Sequence, residues 1–250
     1  VQIPRQERKE MQALAPDQAR KFLSVVRGTQ HGALFELALT TGLRPSEYCA
    51  LKWEDVNFER GTLSVVRSID FQPGGGWLLE ETKTPRSRRV VRLLPSVLHA
   101  LAEHKLRQEA DRARAGDEWH DTGFVFTNEK GSPVDRHNLA NRHFKKLLAE
   151  AGLPQIRLYD LRHTAATLSL SAGIPVKVVS EMLGHASVAM TLDVYSHVLP
   201  HMQEEAVQRM ASLLDGENGT EWSEPATGAP SPNRHTRGTQ GRIPKKSIVM

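Results

Sequence analysis

Apolar residues recur three and four positions apart over most of this chain, and the period changes to alternation between residues 62 and 94. Ala15-Pro16-Asp17 opens a helix through about Val26. A second apolar helix, Ala33 to Thr41, ends at Gly42, and Pro45 starts a short one carrying Tyr48, Cys49, Leu51 and Trp53. Thr62 to Val66, Trp77 to Thr82 and Arg88 to Leu94 then read as strands, separated by Pro73-Gly74-Gly75-Gly76 and by Lys83-Thr84-Pro85-Arg86-Ser87. Together they predict one three-stranded antiparallel sheet. Leu94-Pro95 opens a long helix to about Ala115, with Leu98, Leu101 and Leu106 on its apolar side. Phe124-Val125-Phe126 reads as a short buried strand and Gly131-Ser132-Pro133 as a turn. Asp135 or Asn138 starts a helix through Ala151 that Gly152-Leu153-Pro154 ends.

The helical period returns in the last third. Asp160 is a good N-cap, with Leu161, Ala165, Leu168 and Ala172 behind it. Gly173 fits a C′ position and Pro175 the first turn of the next helix, which buries Val178, Val179, Met182 and Leu183 and stops at Gly184. Ser187 caps a third helix that is expected to fray near Tyr195 into a segment that can move. Pro200 to Leu214 reads as amphipathic, with Met202, Ala206, Met210 and Leu213 along one side. Residues 1–15 read as a polar linker, and from Gly216 onward the composition predicts a disordered tail. The expected fold class is α+β, mainly α-helical, with one small sheet.

Composition narrows the chemistry. The 250 residues are 39% hydrophobic, enough for a core, and no run of eighteen apolar residues marks a membrane span. The single cysteine, Cys49, excludes an intrachain disulfide and fits a reducing cytoplasm; without a base partner in view it reads as a core thiol. No signal peptide is visible, and the chain does not begin with Met, which reads as a fragment or a processed form. Lys plus Arg number 33 against 29 Asp plus Glu, an excess that permits nucleic-acid binding without requiring it. No HExxH or cysteine pair supports a zinc site, and no nucleophile elbow supports a serine hydrolase.

Three polar residues stand out at helix ends. Arg162 falls in a first turn, where free N–H groups and the dipole favour an anion. His185 falls just past a helix end, and Tyr195 at another. Together they suggest a site for a phosphodiester. Arg44, between Gly42 and Pro45, reads as a phosphate-binding arginine oriented by Glu47, or as a surface arginine beside an ordinary first-turn carboxylate. Arg86, Arg88, Arg89 and Arg92 form a DNA-facing strand face or a solubilising edge. Arg142, His143, Lys145 and Lys146 grip backbone phosphates or form a solvated basic face.

The stretch Tyr159-Asp160-Leu161-Arg162-His163-Thr164, then Leu183-Gly184-His185, then Tyr195 resembles the active-site half of the tyrosine recombinases, the phage integrase family. That family's pattern is His-x-x-Arg, Leu-Gly-His and a tyrosine about ten residues on. Arg162, His185 and Tyr195 match; Tyr159 departs, standing where the family has a histidine. Thr41-Gly42-Leu43-Arg44-Pro45-Ser46-Glu47 resembles its first arginine motif, and Lys83-Thr84-Pro85-Arg86-Ser87 its hairpin lysine motif.

The resemblance spans roughly residues 16–214. It implies an integrase-like catalytic core, preceded by a linker from a DNA-gripping domain and followed by the tail at 215–250. It also implies a site-specific recombinase that cuts and rejoins DNA through a covalent 3′-phosphotyrosine, serving a mobile element or phage in a prokaryotic cytoplasm. The partners implied are double-stranded DNA at specific sites and a homotetramer formed by exchange of C-terminal segments. No membrane, metal or cofactor is expected. Tyr195 would be the nucleophile, with Tyr159 and Tyr48 as weaker rivals. Arg44 and Arg162 would hold the phosphorane oxygens in forks, Lys83 would protonate the leaving 5′ oxygen, and His185 would donate a hydrogen bond to phosphate and help with the nucleophile's proton. Glu47, Asp160 and His163 would support these groups. Tyr159 would contact phosphate without moving a proton at neutral pH.

Overall fold

The computed structural model describes residues 11–72, 74, 76–81, 88–196, 207–208 and 210–214. The chain divides into two units, residues 1–208 and 209–250. In the second, residues 210–214 are helical. Met202 and Ala206, expected on the same helix, lie outside the described residues, as does the segment after Gly216. Among the described residues no helix is long and apolar enough to cross a membrane.

The first unit is built on α2 (Gly32–Thr41), of which every residue but Thr40 is buried. A helix apolar all round must be covered on all sides, and α1 (Pro16–Val26), α4 (Pro95–Ala115) and α7 (Asp160–Ser171) pack against it. Its one buried acid, Glu36, is held by the Arg27 guanidinium at 3.1 Å. Phe22, Phe35 and Phe144 close the far side, their ring centroids 5.6 to 5.9 Å apart.

The expected single sheet is two. Strand β2 (Thr62–Val65) pairs on one side with β1 (Val56–Asn57) and on the other with β5 (Arg89–Arg92), all antiparallel. The Trp77 strand, β4 (Trp77–Glu81), pairs instead with β3 (Arg67–Phe71), a strand the alternation did not reveal. Arg67-Ser68-Ile69-Asp70-Phe71 has three polar residues in five, so its apolar signal is weak. The arrangement is nonetheless well supported. The Gln72 N–H donates to the Gly76 carbonyl across the turn at 3.1 Å. Trp77 meets Phe124 edge-on at 5.4 Å, and Arg67 is tied to Asp55 and Glu54.

Other expectations shift for local reasons. Phe124-Val125-Phe126 is buried but forms only an isolated bridge, Lys52 with Phe124. Two α4 side chains replace a ladder: the Val125 carbonyl accepts from His104 Nε2 at 2.8 Å and Gln108 Nε2 at 3.0 Å. On α4 the buried line is therefore Val97, Leu101 and His104, and Leu106 is 68% exposed. Asp135 caps the next helix, accepting the Asn138 N–H at 2.8 Å. That helix runs from α5 (Arg136–Asn138) through a π-helical stretch, Leu139–Phe144, into α6 (Lys145–Glu150). Ala172 is exposed at the end of α7. In α8 (Val176–Leu183) the buried residues are Val179, Ser180 and Leu183, while Val178 is 50% exposed. Ser187 caps α9 (Val188–Tyr195) as expected, accepting the Met190 N–H.

Candidate active site

The site forms where the ends of α2, α7 and α8 converge. Gly42 closes α2 at φ +65°, in the left-handed region. A Cβ there would stand 2.6 Å from Leu183 Cδ2 and 3.4 Å from Ala165 Cβ, so only glycine lets the three helices meet this closely. The chain then extends through Arg44 and turns into α3 (Pro45–Tyr48).

Glu47 organises the arginines. Its carboxylate accepts the Arg44 backbone N–H at 2.8 Å and Arg44 Nη1 at 2.8 Å. The same two oxygens accept Arg89 Nη1 at 3.0 Å and Nη2 at 2.8 Å, a bidentate fork from β5. Burial pushes the Glu47 carboxyl up, but Arg89 and then Arg44 bring it below the ordinary glutamate range. Arg89 Nε also donates to the Met182 carbonyl at 2.7 Å. Its side chain is only 7% exposed and faces the protein interior, which differs from the expected DNA-facing position. Alternation within β5 carried that signal. Val91 is buried, and Arg89, two residues earlier, takes the same face. Gly184 makes room for it: at φ +68°, a Cβ there would lie 2.8 Å from Arg89 Nη1.

Arg162 is 2% exposed in the first turn of α7. Nη1 donates to the Gly42 carbonyl at 2.7 Å, while Nη2 is buried with no hydrogen-bond partner among the described residues. Burial, then repulsion from Arg44 and Arg89, pulls the guanidinium down to about 10. Arg44 Nη2 reaches the Gly184 carbonyl at 3.4 Å. Among the described residues, three guanidiniums thus converge around one buried carboxylate.

His185 follows Gly184 and is half-buried. Its Nδ1 lies 2.7 Å from Thr191 Oγ1. Burial, then Arg162, Arg44 and Arg89, lowers its pKa to about 4, so the ring is neutral at pH 7. Beside it opens a cleft of about 460 Å³, lined by Arg88, Arg89, Lys177, Ser180 and His185 among others.

Tyr195 ends α9 and does not fray: it is 2% exposed, packed with Ala166, Leu170, Val179 and Leu183. Its hydroxyl lies 2.9 Å from His163 Nδ1. Burial pushes the phenol up to about 12, against the opposing pull of Arg162. Tyr159 is 41% exposed, with its ring 5.3 Å from the His163 ring. Asp160 does not cap α7. Its carboxylate accepts the Arg157 N–H at 2.9 Å and Arg157 Nη2 at 2.7 Å, fixing the turn that leads into the helix. The contact of His163 with Tyr195, and that of Thr191 with His185, had no signature in the sequence.

The remaining candidates stand outside the arginine network. Arg88 lines the cleft beside His185 and pairs with Glu81 at the end of β4. Arg142 is exposed, Lys145 bonds Asn141, and Lys146 stands 3.7 Å from Glu150. Cys49 is fully buried and its thiol is pushed up by burial. Tyr48 is buried in the core, its hydroxyl without a partner among the described residues. Lys83 and Arg86 lie outside the described residues. Among the described residues, no group of three or more His, Cys, Asp and Glu side chains could hold a metal ion.

Comparison with known proteins gives the family and the fold. The profile of the phage integrase family matches residues 12–202. A tyrosine recombinase XerC-like protein of Caldanaerobacter subterraneus subsp. tengcongensis is 34% identical over 216 residues, covering 82% of this chain and 55% of that protein. The ICEBs1 integrase of Bacillus subtilis is 31% identical over 215 residues, covering 83% of this chain and 56% of that protein. The chain thus spans a little over half the length of these curated relatives. In fold it is similar to the Tn1549 transposon integrase, whose structure was solved in complex with transposon right end DNA. The TM-score is 0.69 at 24% identity, covering 82% of this chain and 68% of that one.

Proposed function

The chain belongs to the phage integrase family, the tyrosine-type site-specific recombinases, and from that membership we propose that residues 16–214 are the catalytic domain of a mobile-element integrase. In this reading it cuts and rejoins DNA at specific sites through a covalent 3′-phosphotyrosine.

The observation that carries the reading is the Nη2 of Arg162, which has no partner among the described residues. A buried guanidinium donor without an acceptor costs about 1–3 kcal/mol or more, and this one sits beside Arg44, which repels it. One anion with several oxygens would answer both problems. A phosphodiester, and still more its pentavalent phosphorane, is such an anion. Arg44 and Arg162 would each hold its oxygens, and the fixed network around Glu47 means that little reorganisation is needed when charge builds up. His185 is neutral near pH 7 and spends Nδ1 on Thr191, so Nε2 is the atom that would donate to a phosphate oxygen. Tyr195 would attack phosphorus, and the leaving 5′ oxygen would take a proton from Lys83. The reverse step restores the DNA without ATP. Tyr159, exposed at the rim, would touch the DNA backbone. Arg88, Arg142, Lys145 and Lys146 would add phosphate contacts, and exchange of the segment after Tyr195 between subunits would build a tetramer on two DNA sites.

The test is covalent capture. The protein is incubated with nicked DNA duplexes randomised across the cleavage region, denatured, and the retained DNA sequenced. Wild type should yield an adduct at a defined sequence, linked through a 3′-phosphotyrosine at Tyr195; Tyr195→Phe should yield none. Duplex binding by both, with an adduct from neither, would overturn the reading in favour of a DNA-binding protein without turnover.

A further inference from the structure

Tyr195 must lose a proton to become a nucleophile, and burial holds that proton tightly. Of the two histidines at the site, His185 has Nδ1 committed to Thr191. His163 has Nδ1 on the reacting atom itself, 2.9 Å from Tyr195 Oη. The imidazole is held from several sides. It is one residue past Arg162 on the rigid, buried first turn of α7. The Tyr159 ring lies against it at 5.3 Å and the Tyr195 ring at 5.9 Å. The charged and titratable groups facing it are Asp160 and Arg162 of α7, Arg157 just before it, Tyr159, Tyr195 from α9 and His185 from the loop before α9.

We propose that His163 is the general base for Tyr195, a catalytic residue of the strand-cleavage step; the proposal rests on the recombinase reading above. The phenol proton moves to His163 Nδ1 as the Tyr195 Oη–phosphorus bond forms and the bond from phosphorus to the 5′ oxygen breaks, the leaving oxygen receiving its proton from the lysine. In rejoining, the 5′ hydroxyl gives its proton back to the lysine as it attacks phosphorus, the phosphotyrosine bond breaks, and Nδ1–H returns its proton to the phenolate. Asp160 favours the imidazolium this creates, while Arg157 and Arg162 oppose it. Burial, the largest influence, also holds the His163 pKa below its ordinary value. The base is therefore unprotonated at neutral pH, and the proton it takes is readily given back.

The test uses the duplex recovered by covalent capture, resynthesised with sulfur replacing the scissile 5′ oxygen. A thiolate leaves without a proton, so the rate reports on the nucleophile's proton alone. In single-turnover cleavage, wild type should show a plateau at neutral pH and above, with a fall on the acid side, below the ordinary histidine range, as His163 is protonated. His163→Gln keeps a hydrogen-bonding partner for the phenol but no base. Cleavage should slow by about 10²–10⁴-fold at pH 7 and then rise about tenfold per pH unit toward the titration of Tyr195. A His163→Gln rate equal to wild type, or one slowed equally at every pH, would overturn the proposal and leave His163 a packing or positioning residue. Should the variant not fold, the wild-type profile still decides: a rate climbing tenfold per unit through neutrality, without a plateau, means no base operates. Absence of any wild-type adduct is a different failure, because it removes the recombinase reading itself.

Discussion

The two halves of the site are held very differently. The anion-binding half, Arg44, Glu47 and Arg162, sits on α2, α3 and the first turn of α7, within the main core that also takes in α1, α4 and the three-stranded sheet. The nucleophile half sits on a separate cluster whose buried members are Ala166, Leu170, Val179, Leu183 and Tyr195. Its helices, α8 and α9, have eight residues each and leave Val178, Met190 and Leu192 exposed. Electrostatic stabilisation works only when the charges are fixed before the reaction, and that half is fixed by a buried ion network. A nucleophile must instead be moved into line with a phosphorus atom, and that half is held by few contacts. Helix α7 belongs to both, joining Arg162 at one end to Leu170 at the other.

The comparison is broken most severely at Glu47. Glu47→Gln keeps the shape but removes the negative charge between Arg44 and Arg89, leaving those cations and Arg162 to repel one another. Breaking a buried pair from one side costs about 3–5 kcal/mol, so the whole domain should lose stability by that amount in chemical denaturation. Adduct formation should fall with it, because Arg44 loses the carboxylate that aims it. The pH dependence gives the sign. The Glu47 pKa is lowered by its arginines in the folded protein. Its stabilising contribution is therefore present above the unfolded carboxylate range and lost as pH falls through the folded value, and the gap between wild type and variant should close in acid. A loss under about 1 kcal/mol would mean the anion-binding half is not a rigid frame.

How much of this contrast was legible in the sequence depends on range. The order of helices, the Gly42 and Gly184 stops, the Ser187 cap and the long α4 followed from period and end residues, because those are local properties. The positions of Arg44, Arg162, His185 and Tyr195 at element ends followed for the same reason. The pairing of β2 with β5 rather than β4 depends on which strand closes a turn, and Arg67–Phe71 is too polar to announce itself. Leu106 and Val178 were misplaced because a helix can turn a histidine or a serine inward when a partner waits there, as His104 meets the Val125 carbonyl and Ser180 that of Ser187. The Glu47–Arg89 fork and the His163–Tyr195 contact join residues 42 and 32 positions apart. No periodicity in one chain encodes such a pair.

A smaller perturbation sharpens the comparison from the other side. Leu170→Ala removes a central member of the small cluster, at an expected cost of about 2–3 kcal/mol, the low end for a buried leucine because few neighbours surround it. The distribution of that cost matters more than its total. Amide hydrogen exchange should accelerate in α8 and α9 while α2 and the first turn of α7 keep their protection. Uniform acceleration across all four would show that the two clusters unfold as one.

The smallest expected effect tests whether the nucleophile helix is limited by its own stability. Ser187 Oγ accepts the Met190 N–H at 3.3 Å, a long bond, and α9 has only two turns to share among its caps. Ser187→Ala should therefore cost about 0.5–1 kcal/mol, felt as fraying of α9 rather than as lower global stability. If cleavage requires α9 to be formed and Tyr195 to be placed by it, the rate should fall by about two- to fivefold, the same free energy expressed kinetically. If DNA binding instead draws Tyr195 out of its cluster and reorganises α9, the cap no longer matters in the reacting complex, and the variant should cleave as fast as wild type or faster. A rate increase would place the held, buried Tyr195 on the resting side of the reaction, with release of the small cluster as the step that DNA drives.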